Sequence, residues 1–88
     1  MIQKIVDFMI KSGTEWTETG NYCFYYTELA HLFNQPVEWF LEHREEIKAE
    51  INSRPEVLSE TWDELDALGT PEGFDINFCL EYCDIEEE

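Results

Sequence analysis

Residues 36–52, PVEWFLEHREEIKAEIN, decide how the chain is read, because their periodicity is helical and their charge is one-sided. At about 100° per residue, Val37, Phe40, Leu41, Ile47 and Ile51 fall in one arc, while Glu38, Glu42, Glu45, Glu46 and Glu50 fall roughly opposite. Trp39 projects into the acidic arc. Arg44 and Lys48 fall on the apolar side, where their stems can cover the edge of a core. The spacing predicts one continuous amphipathic helix whose outward face is almost wholly carboxylate.

N-terminal to it, Asn34-Gln35-Pro36 breaks the chain, with Pro36 suited to a first helical turn. Before that break, Thr27 is a candidate N-cap for a short helix, TELAHLFN, carrying Leu29, Ala30, Leu32 and Phe33. Residues 22–26, YCFYY, are aromatic and strand-like, and residues 14–21 read as a surface connection. At the start of the chain, Ile2, Ile5, Val6 and Met9 follow helical spacing, with Ser12-Gly13 as a stop.

C-terminal to residue 52 the pattern is less regular. Residues 59–69, SETWDELDALG, carry an N-cap candidate at Ser59, acids in the first turns, and Trp62, Leu65 and Leu68 at helical spacing. They predict a helix, the alternative being a wing strand across residues 57–65. Pro71-Glu72-Gly73 is a turn signal. Residues 74–82 then alternate Phe74, Ile76, Phe78, Leu80 and Tyr82 with polar positions, which predicts a strand needing YCFYY or residues 57–62 as its partner.

These elements make a small α+β domain of three to four helices with a two- or three-stranded antiparallel sheet. Residues 1–83 are read as one compact acidic domain and residues 84–88 as a frayed, solvated tail. Six Phe, four Tyr and three Trp supply enough apolar material for a core, so high charge does not imply disorder. From residue 2 to 52 the chain order, a helix, a strand-like segment, a short helix with Glu28-Leu29-Ala30, a three-residue turn and a second amphipathic helix, resembles a helix-turn-helix and the first half of a winged-helix domain.

Charge narrows the function. The 21 acidic and 5 basic side chains leave a formal charge of −16, which opposes direct binding to nucleic acid or anionic membrane. The imbalance is concentrated: residues 1–54 hold 9 acids and 5 bases, residues 55–88 hold 12 acids and no Lys or Arg. With no signal-peptide pattern and no apolar run long enough for a bilayer, the chain is expected in the cytoplasm. Cys23, Cys79 and Cys83 are an odd set, expected as thiols there.

No catalytic motif is present. There is no Gly-rich phosphate loop, no His-Glu-x-x-His and no calcium loop. Cys23, Cys79, Cys83, His31 and His43 are zinc-binding residue types, but on a strand Cys79 and Cys83 would lie about 13 Å apart. His31 sits among Leu29, Leu32 and Phe33, the setting of a packed or surface histidine rather than a base. The chain is therefore read as a non-enzyme without metal or cofactor.

Acids four residues apart on a helix recur about every 6 Å, close to the spacing of phosphates along a strand, and Glu38 to Glu50 would span about 18 Å. In size, acidity and aromatic content the chain resembles the small DNA-mimicking inhibitors made by bacteriophages, including anti-restriction and anti-CRISPR proteins. That resemblance implies a stoichiometric blocker of a basic, nucleic-acid-binding host protein: a nuclease, or a restriction, CRISPR or transcription component. The residues expected to contact it are Glu38, Trp39, Glu42, Glu45, Glu46 and Glu50, together with Asp63, Glu64 and Asp66. The alternatives are a helix-turn-helix-derived transcription regulator and an antitoxin-like protein-binding module.

Overall fold

The computed structural model describes residues 1–83, so the expected frayed tail lies outside the described residues. Helix α1 spans Ile2–Trp16 and buries Ile5, Val6, Met9 and Ile10, the positions its periodicity predicts. It runs through the expected stop at Ser12-Gly13. Gly13 lies under the ring of Phe78, and a Cβ there would sit 2.2 Å from Phe78 Cζ. A glycine costs a helix interior about 1 kcal/mol; here it admits an aromatic ring, and Trp16 extends the packing by meeting Phe8 and Tyr22 at 6.2 and 6.1 Å. The helix ends at Thr17, whose Oγ1 donates to the Asn21 carbonyl and accepts from the Gly20 amide, both at 2.9 Å.

Strand β1, Asn21–Tyr25, passes directly into α2, Tyr26–Phe33. The helix starts one residue before the expected Thr27 cap because Tyr26 already plunges into the core. Asn34 ends α2 in the left-handed region, φ 52°, which Asn tolerates better than most residues. Residues 36–52 then depart from expectation: they form two helices, α3 at Val37–Glu42 and α4 at Arg44–Asn52, broken at His43. His43 has φ −100° and ψ 11°, and its Nδ1 donates to the Trp39 carbonyl at 2.8 Å, the oxygen its own backbone N–H also uses. A side chain that takes an i−4 carbonyl competes with the helical ladder and bends it. The apolar arc itself is as predicted: Phe40, Ile47 and Ile51 are fully buried, with Val37 and Leu41 packed against them.

The predicted helix over residues 59–69 is instead strand β2, Trp62–Leu65. Trp62, Leu65 and Leu68 do recur at helical spacing, but they are 68, 51 and 91% exposed and have no core to face. Two contacts hold the segment extended. Asn52 Oδ1 accepts from both the amide and the hydroxyl of Thr61, at 2.9 and 2.8 Å, and Lys48 donates to Asp63 within the strand itself. Strand β3, Pro71–Asn77, begins inside the expected Pro71-Glu72-Gly73 turn and stops short of the expected residue 82. A 3₁₀ turn, Leu80–Tyr82, replaces its end and brings Cys83 Sγ to 3.4 Å from the Cys79 carbonyl, so these cysteines are not spread along a strand.

The sheet is antiparallel with order β1-β3-β2. Its inner face presents Phe24, Phe74 and Ile76 to the helices, and Phe78 follows on the same side just beyond β3. Residues 56–58 run beside 77–79, bridging Val57 to Phe78. Helix, strand, helices and a returning hairpin follow one another along the chain, giving a small α+β domain with a three-stranded antiparallel sheet. The Cα radius of gyration is 12.7 Å. Gly13→Ala is expected to lower stability by about 1–3 kcal/mol, since overpacking against Phe78 outweighs the better helix propensity of Ala. A urea midpoint at or above wild type would show that the Phe78 ring is not held there.

Candidate functional site

The acids of residues 36–52 divide at the His43 break. Glu38, Glu42, Glu45 and Glu46 are exposed, while Glu50 and Trp39 are half-buried. Trp39 does not stand out into solvent as expected: it stacks on His43 at 4.3 Å and meets Phe40 edge-on at 5.1 Å, packed against the core. Glu45 lies 3.3 Å from Lys48 and 3.6 Å from Arg44. Glu50 pairs with Arg54 at 3.3 Å, and Arg54 also holds Asp7 at 2.7 Å. Among the described residues, Glu38, Glu42 and Glu46 are therefore the stripe's carboxylates that no cation offsets.

The expected Asp63-Glu64-Asp66 cluster does not act as a unit, because alternation along β2 and the turn after it send its members different ways. Asp63 lies opposite Phe74 and so on the helix side of the sheet. Lys48 Nζ donates to its Oδ2 at 3.0 Å, and Arg44 Nε is 3.9 Å from Oδ1. Burial works against the Lys48 charge, but Asp63 and Glu45 outweigh it and the ammonium is held above its ordinary range. Beneath this pair lies Tyr26, pushed up to about 12 first by burial and then by Asp63, with Arg44 opposing. Asp66 is a turn residue: its Oδ1 accepts from the Leu68 and Thr70 amides at 2.8 and 3.0 Å, and Gly69, φ +80°, closes the loop.

Glu64 faces the other way, onto the outer side of the sheet. The register aligns Cys23, Asp75 and Trp62 in one cross-strand row and Tyr25, Gly73 and Glu64 in the next. Opposed residues of antiparallel strands share a face, so Trp62 and Tyr25, both exposed, stand beside Glu64 and Asp75. Electrostatics agree with this placement. Cys23 is pushed up to about 12 by burial and then by Glu64 and Asp75. Tyr25 is raised by Cys23, by burial, and by Glu64 and Glu72. Sequence reasoning missed Trp62, Tyr25 and Asp75 as a group. The signal was the alternation in YCFYY, but only the strand register reveals which residues of β2 and β3 join it.

Among the described residues no set of three His, Cys, Asp or Glu side chains is placed to hold a metal ion, and no helix is long and apolar enough to cross a membrane. Comparison with known proteins finds no matching family model, no matching curated protein and no matching solved structure. The site must therefore be argued from its own chemistry.

Cys23 supplies a test of that chemistry. Its ordinary value of 9.0 applies to the unfolded chain, whereas the folded thiol keeps its proton to about 12. The folded state thus has this advantage in full below pH 9 and loses it as pH climbs from 9 toward 12. Urea midpoints are expected to fall across that window, and to fall less steeply in Cys23→Ala, where Tyr26, Tyr25 and Lys48 still contribute in the same direction. Equal slopes would contradict the burial of the thiol on this face beside Glu64 and Asp75.

Proposed function

We propose that this protein is a non-enzymatic inhibitor that occupies the basic groove of a nucleic-acid-binding protein, offering carboxylates where the groove receives phosphates. The observation that carries the reading is how the cations are used. Arg44, Lys48 and Arg54 are engaged by Asp63, Glu45, Glu50 and Asp7, so other acids on the surface are left without a cation beside them. Glu38, Glu42 and Glu46 lie on one side and Glu64, Glu72 and Asp75 on the sheet. Magnitudes are compatible: a duplex carries one charge per about 1.7 Å, hence about 17 across the molecule's 29 Å middle dimension, against −16 for the whole chain.

The resemblance to phage-made DNA mimics points to a host nuclease, restriction, CRISPR or transcription component as the target, met in the host cytoplasm. The His43 break alters the mimicry in one respect. Surrogates would be gathered from several elements rather than laid along a single helix, as a duplex presents phosphates on two strands. The chain order also suits a helix-turn-helix regulator, but the helices in the recognition position carry five glutamates, which the major groove would repel.

The test is charge reversal. A Glu38→Lys, Glu42→Lys, Glu46→Lys variant is expected to lose capture of the target from host lysate by on the order of tenfold or more at low salt. Its urea midpoint should stay within about 1 kcal/mol of wild type, because the three sites are exposed. Undiminished capture would overturn the proposal, and tight binding of the unmodified protein to a DNA fragment at physiological salt would favour a regulator.

A further inference from the structure

The outer sheet face has a composition that bulk acidity does not account for. Trp62 is 68% exposed, and among the described residues no aromatic ring stacks on it. Directly across the ladder is Asp75, whose Oδ1 is shut off from solvent without a hydrogen-bond partner. Glu64, two residues along the same strand from Trp62, lies diagonal to Asp75 on the same face. Opposed Cβ atoms lie about 5 Å apart and diagonal ones about 7–8 Å, so one indole and two carboxylates are neighbours on one face, within the reach of a single planar cation. The nearest basic side chains, Lys48 and Arg44, are committed to Asp63 on the opposite face.

We propose that this face receives an arginine side chain of the basic partner, its guanidinium lying over the Trp62 indole and its donors shared between Asp75 and Glu64. The inference rests on the reading of a basic partner and sharpens it by naming the side chain recognised. Arginine fits where lysine does not, because a planar guanidinium stacks on an aromatic face and still presents a fork of donors to carboxylates at its rim. A second copy of this chain would bring carboxylates against carboxylates, and nucleic acid would bring phosphates. A cation with donors at its rim suits Asp75, whose Oδ1 is left without a hydrogen-bond partner in the free protein.

The purified chain would be titrated calorimetrically with a twelve-residue peptide alternating Arg and Ser, and with its Lys counterpart, at about 150 mM salt. The Arg peptide is expected to bind about fivefold or more tighter than the Lys peptide. Trp62→Ala should erase that preference, while Trp62→Phe keeps most of it. Asp75→Asn should weaken the Arg peptide without lowering the urea midpoint, an outcome that a purely structural role for Asp75 does not produce. Equal binding of the two peptides by the wild type, or an unchanged preference in Trp62→Ala, would overturn the cradle. If the preference is absent while charge reversal on α3 and α4 still abolishes capture, the cradle alone is wrong. If the preference holds while capture survives that reversal, the basic-groove reading is wrong and the cradle stands.

Discussion

Lys48 holding Asp63, with Arg44 close behind, is the contact on which the rest of the structure turns. It ties α4 to β2, and so sets the returning hairpin against the helices. Removing one partner of such a half-buried pair leaves a charge without compensation, which is why these contacts are costly to break even when their net contribution is small. The same contact decides the electrostatics of the surface. A chain with five basic side chains and 21 acidic ones cannot offset charge everywhere, and spending Lys48 and Arg44 on Asp63 and Glu45 leaves the outer sheet face with none.

Much of the fold was legible in the sequence. Where a segment buries one side, its period declares it: Ile5, Val6 and Met9 in α1, Phe40, Ile47 and Ile51 in α3 and α4, and Phe74 and Ile76 in β3 with Phe78 just beyond it all fall where periodicity puts them. The α+β class and the pairing of YCFYY with the alternating C-terminal strand follow from those patterns. The misreadings share a cause, which is that tertiary contacts overrode local signals. Gly13 reads as a helix stop unless the Phe78 ring above it is known. His43 reads as an ordinary helical residue unless its ring nitrogen is seen on the Trp39 carbonyl. Residues 62–65 read as helix because Trp62, Leu65 and Leu68 are spaced like a buried stripe, although all three are exposed.

The candidate site was legible in kind and not in arrangement. Composition alone isolates an acidic surface, and Glu38, Glu42 and Glu46 are exposed as their positions suggest. Asp63 and Asp66 resemble Glu64 in sequence but serve an ion pair and a turn. Trp39 and Trp62 exchange expectations: the first lies half-buried against the core beside His43, while the second stands on the sheet among carboxylates.

Mimicry makes a stricter demand than attraction, because the inhibitor and the nucleic acid must exclude one another. The most direct measurement is the apparent dissociation constant of the captured target for duplex DNA, taken across a series of concentrations of this protein. Occupation of the groove requires that constant to rise in proportion to inhibitor concentration without limit. A rise that levels off, with DNA and inhibitor bound to the target together, would contradict it.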